Sequence, residues 1–341
     1  MIGSNTQLSD GIVAKLRTMV PKGAALHEPV FEGSEWSYVK KCLDTGWVSS
    51  AGGFVEKFEG MLSDFTDVSY VAATVTGTAA LHTCLLVAGV QPGDEVIVPA
   101  LTFVATANAV AHCHAIPHFA DINPNDLGLN AEKLDKHLSD IATVENGTCV
   151  NNRTGRTIRA IIIVHVFGHA CDLDALSEVA ARHGIVLIED AAESLGTLYN
   201  GKHTGNHGLL SALSFNGNKI VTTGGGGAVM TNDPSLGRRA KHLSTTAKIF
   251  HPWRYEHDEV GYNYRLPNIN AALGCAQLER IDGIIAKKRE VAESYLELFK
   301  DFHGATIFSE PQKSRSNYWL NTLLLDPDAV ACREELLQKC H

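Results

Sequence analysis

An α/β fold built on a mostly parallel sheet is what this sequence predicts, on three observations. Short apolar runs of strand length, such as Ala160 to Val164 and Ile185 to Ile188, recur between turn residues. Segments with apolar residues at helical spacing separate them. Strands alternating with helices of this length pair in parallel through right-handed crossovers. The 341 residues, 45% hydrophobic and 20% charged, suffice for one large domain and a smaller one.

Taken in order, residues 1–26 are weakly patterned, with Asp10 to Val20 reading as a short amphipathic helix. Glu35 to Leu43 carries Trp36, Val39 and Leu43 at helical spacing, and Gly46 stops it. A G-W-V-S-S-A-G-G loop follows, with Trp47 expected in the core. Phe54 to Phe65 is the next helix, and Tyr70 to Val75 a strand running into T-G-T-A-A-L. A strand, a glycine turn and a helix start can hold an anion, because free N–H groups and the helix dipole face it. Gly77 would admit close backbone approach and Thr78 add a hydroxyl; the same residues also read as a plain helix N-cap. The Walker spacing is absent, which argues against a nucleotidase.

Asp94 to Val98 is a strand closed by Pro99, and T-F-V-A-T-A-N-A-V-A starts a helix with Phe103 at its entry. His112, His114 and His118 straddle a helix end and a strand, so they read as structural histidines and no metal is expected. Ile116 to Asp121 is a strand, Leu129 to Leu138 a helix, and the polar stretch 143–157 a surface loop. Ala160 to Val164 is a central strand, with Asp172 to His183 as its crossover helix. Thr222 to Gly227 is a glycine turn, Ala228 to Asn232 a strand and Pro234 to Leu243 a helix. Leu266 opens a long helix reaching about Phe299. It joins a large domain, 27–265, to a smaller C-terminal one, the linking helix and this partial domain together spanning 266–341, where Tyr318 to Leu325 is a strand and Ala329 to Cys340 a helix.

Net charge is −9 and no Lys/Arg run exceeds three, which argues against nucleic-acid binding through a basic face. The eight cysteines are scattered without a C-x-x-C pair, so reduced thiols in a cytoplasm are expected. The N-terminus has no apolar signal core, and no stretch has the length of a membrane span.

The chemistry concentrates between Val186 and Val229. Two apolar runs, Ile185 to Ile188 and Ala212 to Phe215, end in Glu189-Asp190 and in the N-G-N turn before Lys219. Functional groups of open α/β sheets lie past the carboxyl ends of their strands, so the acid and the lysine are expected in one crevice. An acid, a lysine and a nearby serine suit pyridoxal 5'-phosphate. A lysine holds that cofactor as a Schiff base, and an acid keeps its pyridine nitrogen protonated. Asp190 would take the nitrogen, Lys219 the aldehyde and Ser214 the phosphate. As plain structure, Asp190 reads as a strand-end cap and Lys219 as a solvated loop lysine.

D-A-A-E-S-L-G followed by S-F-N-G-N-K-I-V-T-T-G-G-G-G resembles the signature of the DegT-type (DegT/DnrJ/EryC/StrS) sugar aminotransferases. H-E-P-V-F-E-G, G-W-V-S-S-A-G and P-A-L-T-F-V-A-T-A-N-A stand in the family's order, so the resemblance runs from about His27 to the chain's end. It is closest to the C4 aminotransferases of legionaminic acid or bacillosamine-type pathways. The resemblance implies a fold-type I transferase with a seven-stranded, mostly parallel sheet. It also implies a cytoplasmic homodimer with shared active sites, moving an amino group from glutamate to a nucleotide-linked 4-keto-6-deoxy sugar. Such sugars serve lipopolysaccharide or capsule biosynthesis.

Residue by residue, Asp190 resembles the pyridine-nitrogen acid, and Lys219 the covalent anchor and proton carrier. Ser214 and the Gly77-Thr78 pair resemble the phosphate ligands, and Phe103 the aromatic lying on the ring. Glu193 stands where many members have His or Gln near the cofactor oxygen, and a carboxylate there must be protonated or turned away. Asn263, in G-Y-N-Y-R-L, resembles the residue that reaches the partner subunit's phosphate, with Arg265 supporting that loop or binding an anion. A dehydratase of the same family would replace the lysine with histidine, and Lys219 argues against it. A non-catalytic regulatory relative is opposed by the intact Asp190, Ser214 and Lys219, and a Rossmann dehydrogenase by the missing early G-x-G-x-x-G. The family's pattern continues several dozen residues further, so the small domain is expected to be partial.

Overall fold

The computed structural model describes residues 2–341; Met1 lies outside them. Seven strands form the central sheet: β1 (Tyr70–Thr74), β2 (Glu95–Pro99), β3 (Ile116–Ala120), β4 (Ile158–Val164), β5 (Val186–Asp190), β6 (Leu210–Ser214) and β7 (Gly227–Thr231). Their order is β1-β7-β6-β5-β4-β2-β3. β7 runs antiparallel to both its neighbours, and all other pairings are parallel. The I-I-I-V run of β4 explains its central place. Ile161 and Ile163 pack on one face with Ile97 and Leu176, and Ala160 and Ile162 on the other with Val96 and Ile188. Side chains alternate between faces along a strand, so two covered faces demand an unbroken apolar run.

The helices begin where short polar side chains can take free amides. The helices α1 (Ile2–Met19), α2 (Glu35–Thr45) and α3 (Gly53–Thr66) precede β1, and α4 (Gly77–Val87) follows it. Thr76 caps α4 by accepting from the Ala79 N–H at 3.0 Å. Then come α5 (Val104–His112) and α6 (Ala131–Ile141), and α7 (Leu173–Arg182), capped by Asp172. Asp233 caps α8 (Pro234–Ser244) with Pro234 in its first turn. Gly46 ends α2 at φ 74°, a left-handed conformation in which its N–H bonds the Leu43 carbonyl.

Several elements depart from the sequence reading. The long helix from Leu266 is two helices, α9 (Asn268–Leu278) and α10 (Ile281–Phe299), broken at Arg280, whose φ and ψ of −117° and 5° are not helical. Glu279 is drawn to Tyr38 and Lys57, and Arg280 to Glu32, so side-chain anchoring overrides the helical pattern there. The stretch 143–157 is not a plain loop: Ala142–Glu145 and Thr148–Asn151 pair as a hairpin. Only Leu323–Leu325 of the expected strand forms, pairing with Ala305–Ile307, because Asn317 and Trp319 are engaged in a turn. The terminal helix is a 3-10 turn, Pro327–Cys332, followed by α11 (Arg333–Cys340). Trp47 is exposed rather than core. At the N-terminus, α1 extends well beyond Asp10 to Val20 and packs Ile12 and Val13 against Phe299, Ala305 and Leu336. Among the described residues, no helix is long and apolar enough to cross a membrane.

Candidate active site

The carboxyl ends of β5 and β6 open, with the start of α4, onto a cavity of about 330 Å³. Gly77, Thr78, Phe103, Asp190, Glu193, Ser214 and Lys219 all line it, so residues distant in sequence converge. Asn263 does not line it. It lies exposed, in an isolated bridge to Thr245, with its Oδ1 accepting from Arg265 Nε at 3.0 Å.

The two acids at the end of β5 sit in opposite environments. Glu189 is fully buried, and its carboxylate accepts from the N–H groups of Gly205, His207 and Gly208 at 2.6–2.7 Å, with His165 Nε2 at 2.9 Å. Burial raises its pKa, but His165 and the amides outweigh that and bring it to about 2. Asp190, pointing the other way, has less: a 2.7 Å hydrogen bond from Thr106 Oγ1 and one at 3.2 Å from the Ala192 N–H. Burial therefore lifts its pKa above the ordinary carboxylate value, with those two bonds opposing. A buried carboxylate with so little compensation gains most from a cation placed beside it.

Lys219 stands across the cavity. Its Nζ is 3.3 Å from Glu193 Oε1 and 3.7 Å from the centroid of the Trp319 ring, a cation–π contact. The other oxygen of Glu193 accepts from the Phe167 N–H at 2.7 Å. Phe167 holds a left-handed φ of 57°, unusual for a residue with a side chain. Burial raises the pKa of Glu193, with Lys219 opposing. Both carboxylate oxygens are thus turned to donors. Trp319 is itself fixed, its indole N–H donating to the Asn218 carbonyl at 2.6 Å and its backbone N–H to Asn317 Oδ1 at 2.8 Å.

Thr106 and Trp319 are missing from the sequence reading. Thr106 lies one helical turn beyond Phe103, a spacing that places both on one face of α5. Trp319 carried no signal, since it arrives from the C-terminal segment without a motif around it. Phe103, which lines the cavity, is 72% exposed. The three histidines do not converge: His112 lies beside His82, and His118 contacts Glu95 and His137.

The phosphate side is shaped by a glycine. A Cβ on Gly77 would fall 2.8 Å from Ser214 Cβ, so only glycine lets α4 start this close to that hydroxyl. With the Ala79 amide taken by Thr76, the amides of Gly77 and Thr78 remain first-turn donors at the positive end of the helix. A buried acid, a lysine and a glycine-built anion cradle fit pyridoxal phosphate.

Comparison with known proteins agrees. The sequence pattern of the DegT/DnrJ/EryC1/StrS aminotransferase family matches residues 30–341. GDP-perosamine synthase of Vibrio cholerae is 36% identical, over 92% of this chain and 80% of its own. The GDP-perosamine synthase of Caulobacter vibrioides is 39% identical, over 91% and 79%. The structure of Helicobacter pylori PseC, an aminotransferase involved in the biosynthesis of pseudoaminic acid, superposes with a TM-score of 0.83 at 27% identity, covering 92% of this chain and 81% of that one. The chain belongs to the DegT/DnrJ/EryC1/StrS aminotransferases, fold-type I enzymes that depend on pyridoxal phosphate.

Proposed function

We propose that this aminotransferase moves an amino group from glutamate to a 4-keto-6-deoxy sugar carried on a nucleotide, for a surface polysaccharide. The relatives named for GDP-perosamine favour GDP as that nucleotide, over the legionaminic acid or bacillosamine pathways that the motifs resemble. The observation that carries the reading is Lys219 and Asp190 lining one cavity with the Gly77–Ser214 cradle. Pyridoxal phosphate bound there supplies an electron sink through which an amino group passes from one carbon to another. Lys219 would anchor it and, once displaced by a substrate amine, would serve as the base that takes the proton from the substrate carbon bearing that amine. Asp190 keeps its pyridine nitrogen charged. Ser214, Gly77 and Thr78 hold its phosphate, and Phe103 lies along the ring.

The working unit proposed is a cytoplasmic homodimer in which Asn263 completes the phosphate site of the other subunit. Its support is a set of bare aromatic side chains upstream of Asn263, Phe250, Trp253 and Tyr255, which are 93%, 78% and 81% exposed. Large apolar side chains left this bare mark a contact surface. The test is spectroscopic. The purified protein should be yellow, glutamate should bleach it, and a GDP-linked 4-keto-6-deoxy sugar should restore the colour faster than its UDP or dTDP counterpart. A colour unmoved by glutamate would exclude the donor, and restoration by another nucleotide sugar alone would exclude GDP.

A further inference from the structure

Lys219 also lines a second and larger cavity, of about 630 Å³. The segment starting at His27 forms part of its wall, and Gln277, Arg280, Lys287 and Lys288 of α9, α10 and their junction form another. Leaving aside Lys219, which pairs with Glu193, its charge is still lopsided, with Arg280, Lys287 and Lys288 against Glu28 and Glu32. Glu32 is taken by Arg280 at 2.9 Å, while Arg280 NH1 lies 3.7 Å from Glu35 without a hydrogen bond.

Lys288 is the unusual group. Among the described residues its half-buried amine meets no carboxylate. It donates to His27 Nδ1 at 2.8 Å and to the Trp319 carbonyl at 3.1 Å. Burial, then the nearby Lys288 charge, lowers the His27 pKa to about 4, so both acceptors are neutral. Burial brings Lys288 itself down to about 8, which leaves the amine charged at neutral pH. A cation partly stripped of water and lacking a counter-charge is stabilised by an incoming oxyanion. Trp319 touches both lysines, with its carbonyl at Lys288 and its ring at Lys219, so a ligand docked at one is registered against the other.

We propose that this second cavity is an oxyanion subsite for the substrates, with Lys288 as its central donor and Lys287 and Arg280 beside it. The proposal rests on the aminotransferase reading above. Two substrate groups carry the required chemistry: the distal carboxylate of a dicarboxylic amino donor and the diphosphate of a nucleotide-linked sugar.

The experiment uses the holoenzyme, so that cofactor already occupies the Ser214 side. Glutarate, which has no amine to react, and pyrophosphate are titrated separately by calorimetry. At least one should bind, and Lys288→Gln should weaken it tenfold or more, since a charged hydrogen bond is lost. Lys288→Arg should stay close to the unaltered protein. Glutarate binding assigns the subsite to the donor, and pyrophosphate binding to the nucleotide. In the unaltered protein, the probe that binds should also shield Lys288 from acetic anhydride, read by peptide mass spectrometry, which covers a variant that fails to fold. Binding of neither probe, equal affinity in Lys288→Gln, or no shielding overturns the proposal. Failure of the aminotransferase reading shows separately, as holoenzyme that lacks cofactor absorption or ignores glutamate.

Discussion

Oε1 of Glu193 lies 3.3 Å from Nζ of Lys219, and both side chains are largely withdrawn from water. An opposite charge this close favours the protonated form of a nitrogen. Glu193→Gln keeps an acceptor for the Phe167 N–H and removes only the charge. The pH at which the lysine-bound cofactor changes its absorption should therefore fall by about one unit. Spectrophotometric titration of the two proteins checks this, and an unchanged midpoint would show that Glu193 carries no charge in the working enzyme.

Asp190 draws its strongest support from Thr106, whose hydroxyl lies 2.7 Å from Oδ2. Losing a hydrogen bond to a charged group costs about 1.5–3 kcal/mol, or roughly ten- to a hundredfold in an equilibrium. Thr106→Val should retain cofactor that much more weakly, measured by dialysis and absorbance. Asp190→Asn should fold normally yet lose nearly all transamination. Near-normal turnover in that variant would mean that another group supplies the charge.

Stability should depend on pH through His203. It is buried, accepts from the Gly196 N–H at 2.8 Å, and has no partner at Nδ1 among the described residues. Burial lowers its pKa from 6.5 to about 4. The unfolded chain takes up the proton near pH 6.5 and the folded one only near pH 4. Its contribution is therefore complete above pH 6.5 and is lost as pH falls between those values. His27 and His169, lowered to about 4 with burial as the first cause, act in the same sense. Asp190 and Glu193, raised by burial, act in the opposite one. Thermal melts at pH 7 and 4.5 should show a loss of stability that shrinks in His203→Gln, whose amide oxygen can still accept from Gly196.

The sequence made the sheet legible because parallel strands buried on both faces cannot hide their composition, as Ile158–Val164 shows. The cavity's residues were legible where chemistry and spacing coincide at strand ends, as for Asp190, Ser214 and Lys219. Trp319 was not, because its place depends on a turn held by Asn317 and Asn218, a long-range contact with no local pattern. The break between α9 and α10 was hidden for a similar reason. Glu279 and Arg280 are ordinary helix formers by composition, and only their tertiary partners end the helix there.

Assembly is testable by complementation. Asn263 is exposed and outside the cavity of its own subunit, so its proposed role requires a second copy. Inactive Lys219→Ala mixed with a severely impaired Asn263 variant should regain activity after subunit exchange. In each mixed dimer one site carries both defects and the other neither, which limits recovery to about half the normal activity per dimer. Absence of recovery despite proven exchange would place Asn263 in cis or outside the mechanism.

The chemistry proposed for the site turns on Lys219 being the covalent anchor of the cofactor. Borohydride reduction of the holoenzyme, followed by proteolysis and mass spectrometry, tests it most directly. One labelled peptide is expected, with the added mass on Lys219 and none on Lys288. Label on any other lysine, or a reduced protein that releases all its cofactor on unfolding, would contradict it.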